Sequence, residues 1–130
     1  SLSIEISNDN RLVPFIDDMA SAYRWADLVV SRSGASTVSE LAAVGLPSIL
    51  IPYPYHSDNQ QTANAEWLSD NRAAVLIRQA ELTIDLLLRT LKGLDDDRIR
   101  LRTMAERASS IALRDASELI ATLCLESDHV

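Results

Sequence analysis

The sequence contains a single cysteine, Cys124, and only two histidines. One cysteine cannot form an internal disulfide or a cysteine-based zinc cluster. His56 and His129 lie far apart in the chain, so no metal-ligating spacing is present and the sequence predicts no metal centre. Cys124 falls on the apolar face of the last predicted helix, where we expect a buried, unreactive thiol.

Basic and aromatic residues are also scarce. The chain carries 12 Lys and Arg against 19 Asp and Glu, a net charge of −7, with one Phe, two Trp and three Tyr. No basic stripe is available to neutralise phosphates, which argues against general affinity for nucleic acid or electrostatic docking of this part to anionic lipid. The scattered aromatics supply no stacking platform for single strands. We therefore expect no nucleic-acid partner.

Long apolar runs and signal-peptide patterns are absent from the sequence. Together with the single cysteine, this favours a reducing, cytoplasmic compartment. The 130 residues are 47% hydrophobic, which suits one domain with its own core. Because the chain starts at Ser1 rather than Met, we expect a segment of a longer protein.

Short apolar runs alternate with helical patterns over the first part of the chain. The spacing predicts strands near residues 11–16, 28–30, 48–51 and 73–77, and helices near 17–26, 36–44 and 58–69. Gly45 and Pro47 predict the end of the central helix. This alternation indicates an α/β fold with a Rossmann-like parallel sheet flanked by helices, in which 28–30 is a buried strand.

From Thr83 onward the pattern is helical only. Ile84, Leu87, Leu88 and Leu91 form one predicted apolar face before Gly93. A second helix is predicted to carry Ile99, Met104, Ala105, Ala108, Ile111 and Ala112, and a last helix Ala116, Leu119, Ile120, Leu123 and Cys124. The acidic run 95–97 is most simply a solvated turn that places charge at a helix start.

The small-residue stretch Ser31–Glu40 is the strongest candidate for a binding site. It joins a predicted strand to a helix, and Gly34, Ala35 and Ser36 keep the turn uncluttered. Such a turn directs unpaired backbone N–H groups and the positive end of the helix dipole at an anion. By itself the stretch indicates a nucleotide or a phosphate sugar.

Each candidate also has a structural explanation. The segment Thr37–Glu40 fits a capping box, with Glu40 reaching back to its own helix start, and Ser57–Gln60 fits the same box. Capping does not explain Gln61 or Asn64. His56 follows a strand but has no defined carboxylate or serine partner, so catalysis by it is not favoured. The loops at 15–18, 32–40 and 53–64 all follow predicted strands and are expected to converge on one crevice.

Four motifs in order and at matching spacing strongly resemble the MurG family of bacterial glycosyltransferases. They are F-I-D-D-M-A at 15–20, A-D-L-V-V-S-R-S-G-A-S-T-V-S-E at 26–40, G-L-P-S-I-L-I-P-Y at 45–53 and D-N-Q-Q-T-A-N-A at 58–65. The resemblance runs from about Leu12 to the C-terminal helix. Beyond Asn71 it is mostly helical pattern.

The resemblance implies the later portion of the C-terminal, UDP-sugar-binding domain of a GT-B enzyme. Residues 11–80 would hold the donor site and 83–130 the C-terminal helices, with the N-terminal acceptor domain absent. The family transfers N-acetylglucosamine (GlcNAc) from UDP-GlcNAc to lipid I, which makes lipid II for peptidoglycan, on the cytoplasmic face of the inner membrane. It needs no cofactor or metal.

The resemblance also implies site residues. The backbone of Ile16 would contact uracil, Glu40 the ribose hydroxyls, and Gln60 and Gln61 the sugar hydroxyls. The full implied set is Ile16, Arg32, Ser33, Gly34, Ala35, Ser36, Thr37, Val38, Ser39, Glu40, Gln60, Gln61 and Asn64. The family's general base and its early G-G-S loop lie outside this chain, so we expect the chain alone to be inactive.

Two other functions stay open on the sequence. One is a GT-B UDP-sugar transferase with a different acceptor, and the other is a non-catalytic nucleotide-sugar-binding module or split subunit. Half a Rossmann sheet would also leave a strand edge exposed, which offers a surface for self-association.

Overall fold

A computed structural model describes residues 22, 23, 25–55 and 59–127, with side chains described as far as residue 117. Within these ranges, three parallel strands form one sheet in the order β1-β2-β3. The elements in chain order are β1 (Val29–Ser31), α1 (Ala35–Val44), β2 (Ser48–Leu50), α2 (Gln60–Ser69), β3 (Ala74–Leu76), a 3-10 turn (Gln79–Glu81), α3 (Ile84–Asp95) and α4 (Arg98–Ser127). The predicted α/β alternation is confirmed.

The register aligns the carboxyl ends of all three strands. Val30 pairs with Ile49, which pairs with Val75. Since the strands are parallel, the loops that follow them emerge at one edge. β2 is fully buried, whereas Val30 in β1 is 41% exposed, so the prediction of a buried strand at 28–30 is wrong. Among the described strands β1 lies at an end of the sheet and has a neighbour on one side only.

Helix α1 ends as its glycine predicts. Gly45 has φ +68°, and its N–H donates to the Ala42 carbonyl over 3.2 Å. The Leu46 N–H donates to the Leu41 carbonyl over 3.0 Å. This pair of bonds satisfies the last carbonyls of the helix and turns the chain into β2.

The two faces of the sheet support separate apolar clusters. Leu50 faces the cluster that contains Leu41 from α1 and Leu68 from α2. Ile49 faces the other side and packs with Leu94 from α3 and Met104 from α4. The alternation of adjacent β2 side chains therefore produces helical layers on both faces.

Two predictions about the helical part are wrong. Ile84 and Leu88 are 58% and 50% exposed, because α3 turns Leu86, Leu87, Leu91 and Leu94 inward instead. Helix α3 also runs through Gly93, which therefore does not end it.

The two predicted C-terminal helices are one continuous helix, α4. Its first turns contribute Leu101 and Met104 to one cluster, and Ala108 and Ile111 belong to the other. Ile99 was predicted on the apolar face and is 78% exposed. The predicted solvated turn at 95–97 is confirmed, with the Asp97 carboxylate accepting from the Arg100 N–H at 3.0 Å.

Several predictions lie outside the described residues. They are the strand at 11–16, the loop at 15–18 with Ile16, the segment 56–58 with His56, His129, and the side chains of Leu119, Ile120, Leu123 and Cys124.

Candidate functional site

The start of α1 is the centre of the candidate site. It follows β1 through Arg32–Gly34, at the carboxyl edge of the sheet. The first intrahelical bond runs from the Val38 N–H to the Gly34 carbonyl at 3.0 Å. The N–H groups of Ala35, Ser36 and Thr37 precede that bond and point away from the helix, and Gly34 offers no side-chain cap. This arrangement suits an anion.

Glu40 lies one turn along the same helix. Its Oε1 accepts from the Ser36 hydroxyl at 3.1 Å, and the carboxylate also accepts a hydrogen bond from Tyr23. Helix α1 begins at Ala35, so Thr37 lies inside it and the predicted capping box at 37–40 is wrong. The exposed carboxylate accepts from the Ser36 side chain in the first turn, not from a backbone N–H as a capping box would require.

Tyr23 is the residue that sequence reasoning missed near Glu40. Burial raises its pKa above the ordinary value of 10.0, and the Glu40 charge and hydrogen bond raise it further. A phenol is protonated at neutral pH even at its ordinary pKa, so Tyr23 can donate to the Glu40 carboxylate and orient it. Tyr23 lies in a segment before β1, and no local sequence pattern connects it to Glu40.

Three side-chain amides lie at the start of α2, beside the loop that precedes α1. The Gln60 Nε2 donates to Asn64 Oδ1 at 3.0 Å, and the Asn64 Nδ2 donates to the Ser33 carbonyl at 3.0 Å. The Gln61 Oε1 accepts from the Tyr53 N–H at 2.9 Å, which leaves its amide nitrogen to donate elsewhere. Asn59, the N-cap of α2, has φ 52° and makes no side-chain cap bond.

Arg32 and Ser33 are turned toward protein. The Arg32 Nη1 donates to the carbonyls of Ile51 and Pro52 at 3.3 and 3.4 Å. Ser33 is fully buried, and its hydroxyl donates to the Gln61 carbonyl at 2.6 Å. Both residues thus join the loop after β1 to the segment that follows β2.

Tyr53 and Tyr55 lie in the loop after β2, and the sequence predicted this loop at the crevice without giving either ring a role. The centroid of the Tyr53 ring lies 5.7 Å from the Arg32 guanidinium carbon. The Tyr55 ring packs edge-on against the Tyr53 ring, with 5.2 Å between the ring centroids. The Pro-Tyr-Pro-Tyr run at the carboxyl end of a predicted strand was the sequence signal that could have indicated a role for these rings at the site.

The structure thus brings most of the predicted site residues to one edge. The residues there are Arg32, Ser33, Gly34, Ala35, Ser36, Thr37, Ser39, Glu40, Gln60, Gln61 and Asn64. Val38 differs, because its side chain is buried in the core and its N–H is used within the helix. Ile16 lies outside the described residues.

Comparison with known proteins decides the family. The model of the glycosyltransferase family 28 C-terminal domain matches residues 1–120. The chain belongs to this family. The family match covers both loops of the candidate site and the helices behind them.

Relatives from several bacteria carry one name. The chain is 52% identical over 114 residues to a UDP-N-acetylglucosamine–N-acetylmuramyl-(pentapeptide) pyrophosphoryl-undecaprenol N-acetylglucosamine transferase from Shewanella sp. (strain W3-18-1), covering 88% of this chain and 32% of the relative. It is 52% identical over 117 residues to the protein of that name from Burkholderia vietnamiensis, covering 90% and 31%. The chain therefore spans about a third of the length of these curated relatives.

A solved structure agrees. The crystal structure of Acinetobacter baumannii MurG matches with a TM-score of 0.76 and 37% identity, covering 89% of this chain and 35% of that one. The GT-B, Rossmann-like fold class is confirmed at this level of identity.

Two features are absent from the described residues. No helix in the ranges 22, 23, 25–55 and 59–127 is long and apolar enough to cross a bilayer. Within the same part of the chain, no three His, Cys, Asp or Glu side chains are grouped as a metal ion would require.

Proposed function

We propose that this chain is the later portion of the donor-binding domain of an inverting transferase that moves GlcNAc from UDP-GlcNAc onto lipid I. The observation that carries this proposal is the juxtaposition, in a family 28 domain, of an uncapped helix start, a carboxylate and an amide pair at one sheet edge. Residues 11–80 would form the donor site and 83–130 the supporting helices.

The diphosphate would lie at the start of α1. The N–H groups of Ala35, Ser36 and Thr37 would donate there, and the helix dipole adds partial positive charge. When the sugar bond breaks, negative charge grows on the departing UDP. Fixed donors at that position stabilise the charge in the transition state more than in the ground state.

The uridine and sugar would extend to either side of the diphosphate. Glu40 would accept from the two ribose hydroxyls, because a carboxylate offers two oxygens to neighbouring donors. Tyr23 and Ser36 already hold this carboxylate in place. Gln60 and Gln61 would bind the GlcNAc hydroxyls, and the backbone at Ile16 the uracil.

The acceptor would be recognised by parts of the protein outside this chain. We assign three features to those parts: the binding of lipid I, the general base that activates its hydroxyl, and the surface that faces the inner membrane. We therefore propose a peripheral enzyme at the cytoplasmic membrane face, and no turnover of lipid I by this chain alone.

The experiment that tests the donor site compares Glu40→Gln with wild type for UDP-GlcNAc binding by calorimetry. The substitution keeps size and removes charge, and hydrogen bonds to a charged group contribute roughly 1.5–3 kcal/mol, so affinity should fall about 10- to 100-fold. Glu106→Gln, at an exposed position on α4, is the matched control and should bind as wild type does. Equal affinity for the Glu40 variant and wild type would remove the ribose assignment.

A further inference from the structure

We propose that Arg32, Ser33 and Asn64 are positioning residues that set the distance between two parts of the site. One part is the loop 32–34 with the start of α1, which we call the diphosphate loop, and the other is the Gln60–Gln61 amide pair. We call Arg32, Ser33 and Asn64 the loop brace. The inference rests on the proposed function and deepens it, since it predicts that the brace makes the site selective for a nucleotide sugar over the nucleotide alone.

Ser33 is the centre of the loop brace. It is fully buried, so its hydroxyl is not available to a ligand. The hydroxyl donates to the Gln61 carbonyl at 2.6 Å, and Ser33 lies two residues before α1 begins at Ala35. A buried hydroxyl is satisfied here by the backbone of the very residue whose side chain would bind sugar.

Asn64 makes the return connection. Its Nδ2 donates to the Ser33 carbonyl at 3.0 Å, while its Oδ1 accepts from Gln60 at 3.0 Å. Both polar ends of this half-buried amide are therefore used within the protein. One side chain thus joins the diphosphate loop to the first amide of the pair.

Arg32 and Tyr53 close the connection from the other side. Arg32 donates to the Ile51 and Pro52 carbonyls, and the Tyr53 ring lies 5.7 Å from its guanidinium carbon. The Tyr53 N–H then donates to the Gln61 Oε1 at 2.9 Å. The chain of contacts runs from the loop after β1, through the loop after β2, to the second amide.

The geometry predicts which ligands depend on the loop brace. A diphosphate uses only the start of α1, whose N–H groups are oriented by the helix itself. A nucleotide sugar must reach α1 and the amide pair together. Preorganising two contact regions at the right separation lowers the cost of binding the ligand that spans them.

The test measures dissociation constants for UDP and UDP-GlcNAc in Ser33→Ala and Asn64→Leu. A typical net hydrogen bond corresponds to roughly a fivefold change in an equilibrium constant. Each variant should therefore lose about fivefold in UDP-GlcNAc affinity and keep its UDP affinity, so the ratio of the two constants changes.

Matched controls lie elsewhere in the chain. Ser48→Ala removes an equally buried hydroxyl, whose oxygen has no partner within the described ranges, from β2. Asn71→Leu removes an amide that donates to the Trp67 carbonyl at 2.7 Å beyond the far end of α2. Neither control should change the ratio of the two constants.

Four outcomes would overturn the proposal. An equal loss of both affinities assigns the loop brace a structural role only. A loss in Asn64→Leu without one in Ser33→Ala points to direct sugar contact by Asn64.

Amide exchange supplies a ligand-free test: the Tyr53 N–H should exchange faster in both variants, and unchanged exchange contradicts the coupling between loops. If wild type binds neither nucleotide, the proposed function fails and the selectivity role fails with it, while Tyr53 exchange still reports whether the loops are joined.

Discussion

Gly45 and Gly93 show how differently one residue type acts at two positions. Gly45 adopts φ +68° at the end of α1, and a Cβ there would collide with the Ser109 hydroxyl and lie 3.3 Å from the Ala105 carbonyl. Gly93 lies inside α3, and the position that a Cβ would occupy there has no neighbouring atom within 4 Å. Only the first position requires glycine for both conformation and space.

Alanine at these two positions should therefore change stability in opposite directions. Gly45→Ala should destabilise the chain by about 1–3 kcal/mol, through left-handed strain and the contact with α4. Gly93→Ala should stabilise it by about 0.5–1 kcal/mol, because alanine loses less entropy in a helix. Urea unfolding measures both, and a Gly45→Ala variant as stable as wild type would contradict the packing of α1 on α4.

Sequence reasoning succeeded at the residue scale where chemistry is local. Gly45 was predicted to end α1 because αL conformation and a following proline act over a few residues. It failed for Glu40, which was assigned to a capping box but accepts from Tyr23 and Ser36. The partner Tyr23 comes from a separate segment, and no local pattern specifies such a contact.

At the scale of elements, α4 gives the clearest contrast between pattern and structure. The sequence pattern placed Ile99–Ala112 on one helix and Ala116–Cys124 on another, whereas the structure has one helix. Leu113, between the two groups, is 69% exposed. No glycine or proline occurs between Arg98 and Ser127, so nothing in the backbone ends the helix there. Residues 113–117 of α4 are all exposed, which depends on tertiary packing and not on a local sequence signal.

Proline at residue 115 distinguishes one helix from two. In a continuous helix, Asp115→Pro removes a backbone bond and clashes with the preceding turn, at a cost of about 3 kcal/mol. At the first position of a separate helix proline is tolerated. We expect a clear loss of helical circular dichroism in Asp115→Pro compared with Asp115→Ala. Equal signals from the two variants would support the two-helix prediction.

For the molecule as a whole, alternating strands and helices were enough to predict the parallel sheet and the edge at which its loops converge. The roles of individual residues at that edge were harder to predict from the sequence. Arg32 and Ser33 occupy binding-motif positions, but their side chains contact the protein. Self-association through a strand edge stays a prediction. The described sheet has β1 and β3 at its ends.

The central claim is that this chain carries a uridine-sugar donor site. The measurement that tests it most directly is an amide NMR titration with UDP-GlcNAc, with ADP-glucose as the control. We expect saturable shifts clustered at Ile16, Ala35–Glu40 and Gln60, with tighter binding of the uridine donor. A well-folded chain that shows no preference between the two nucleotide sugars would contradict it.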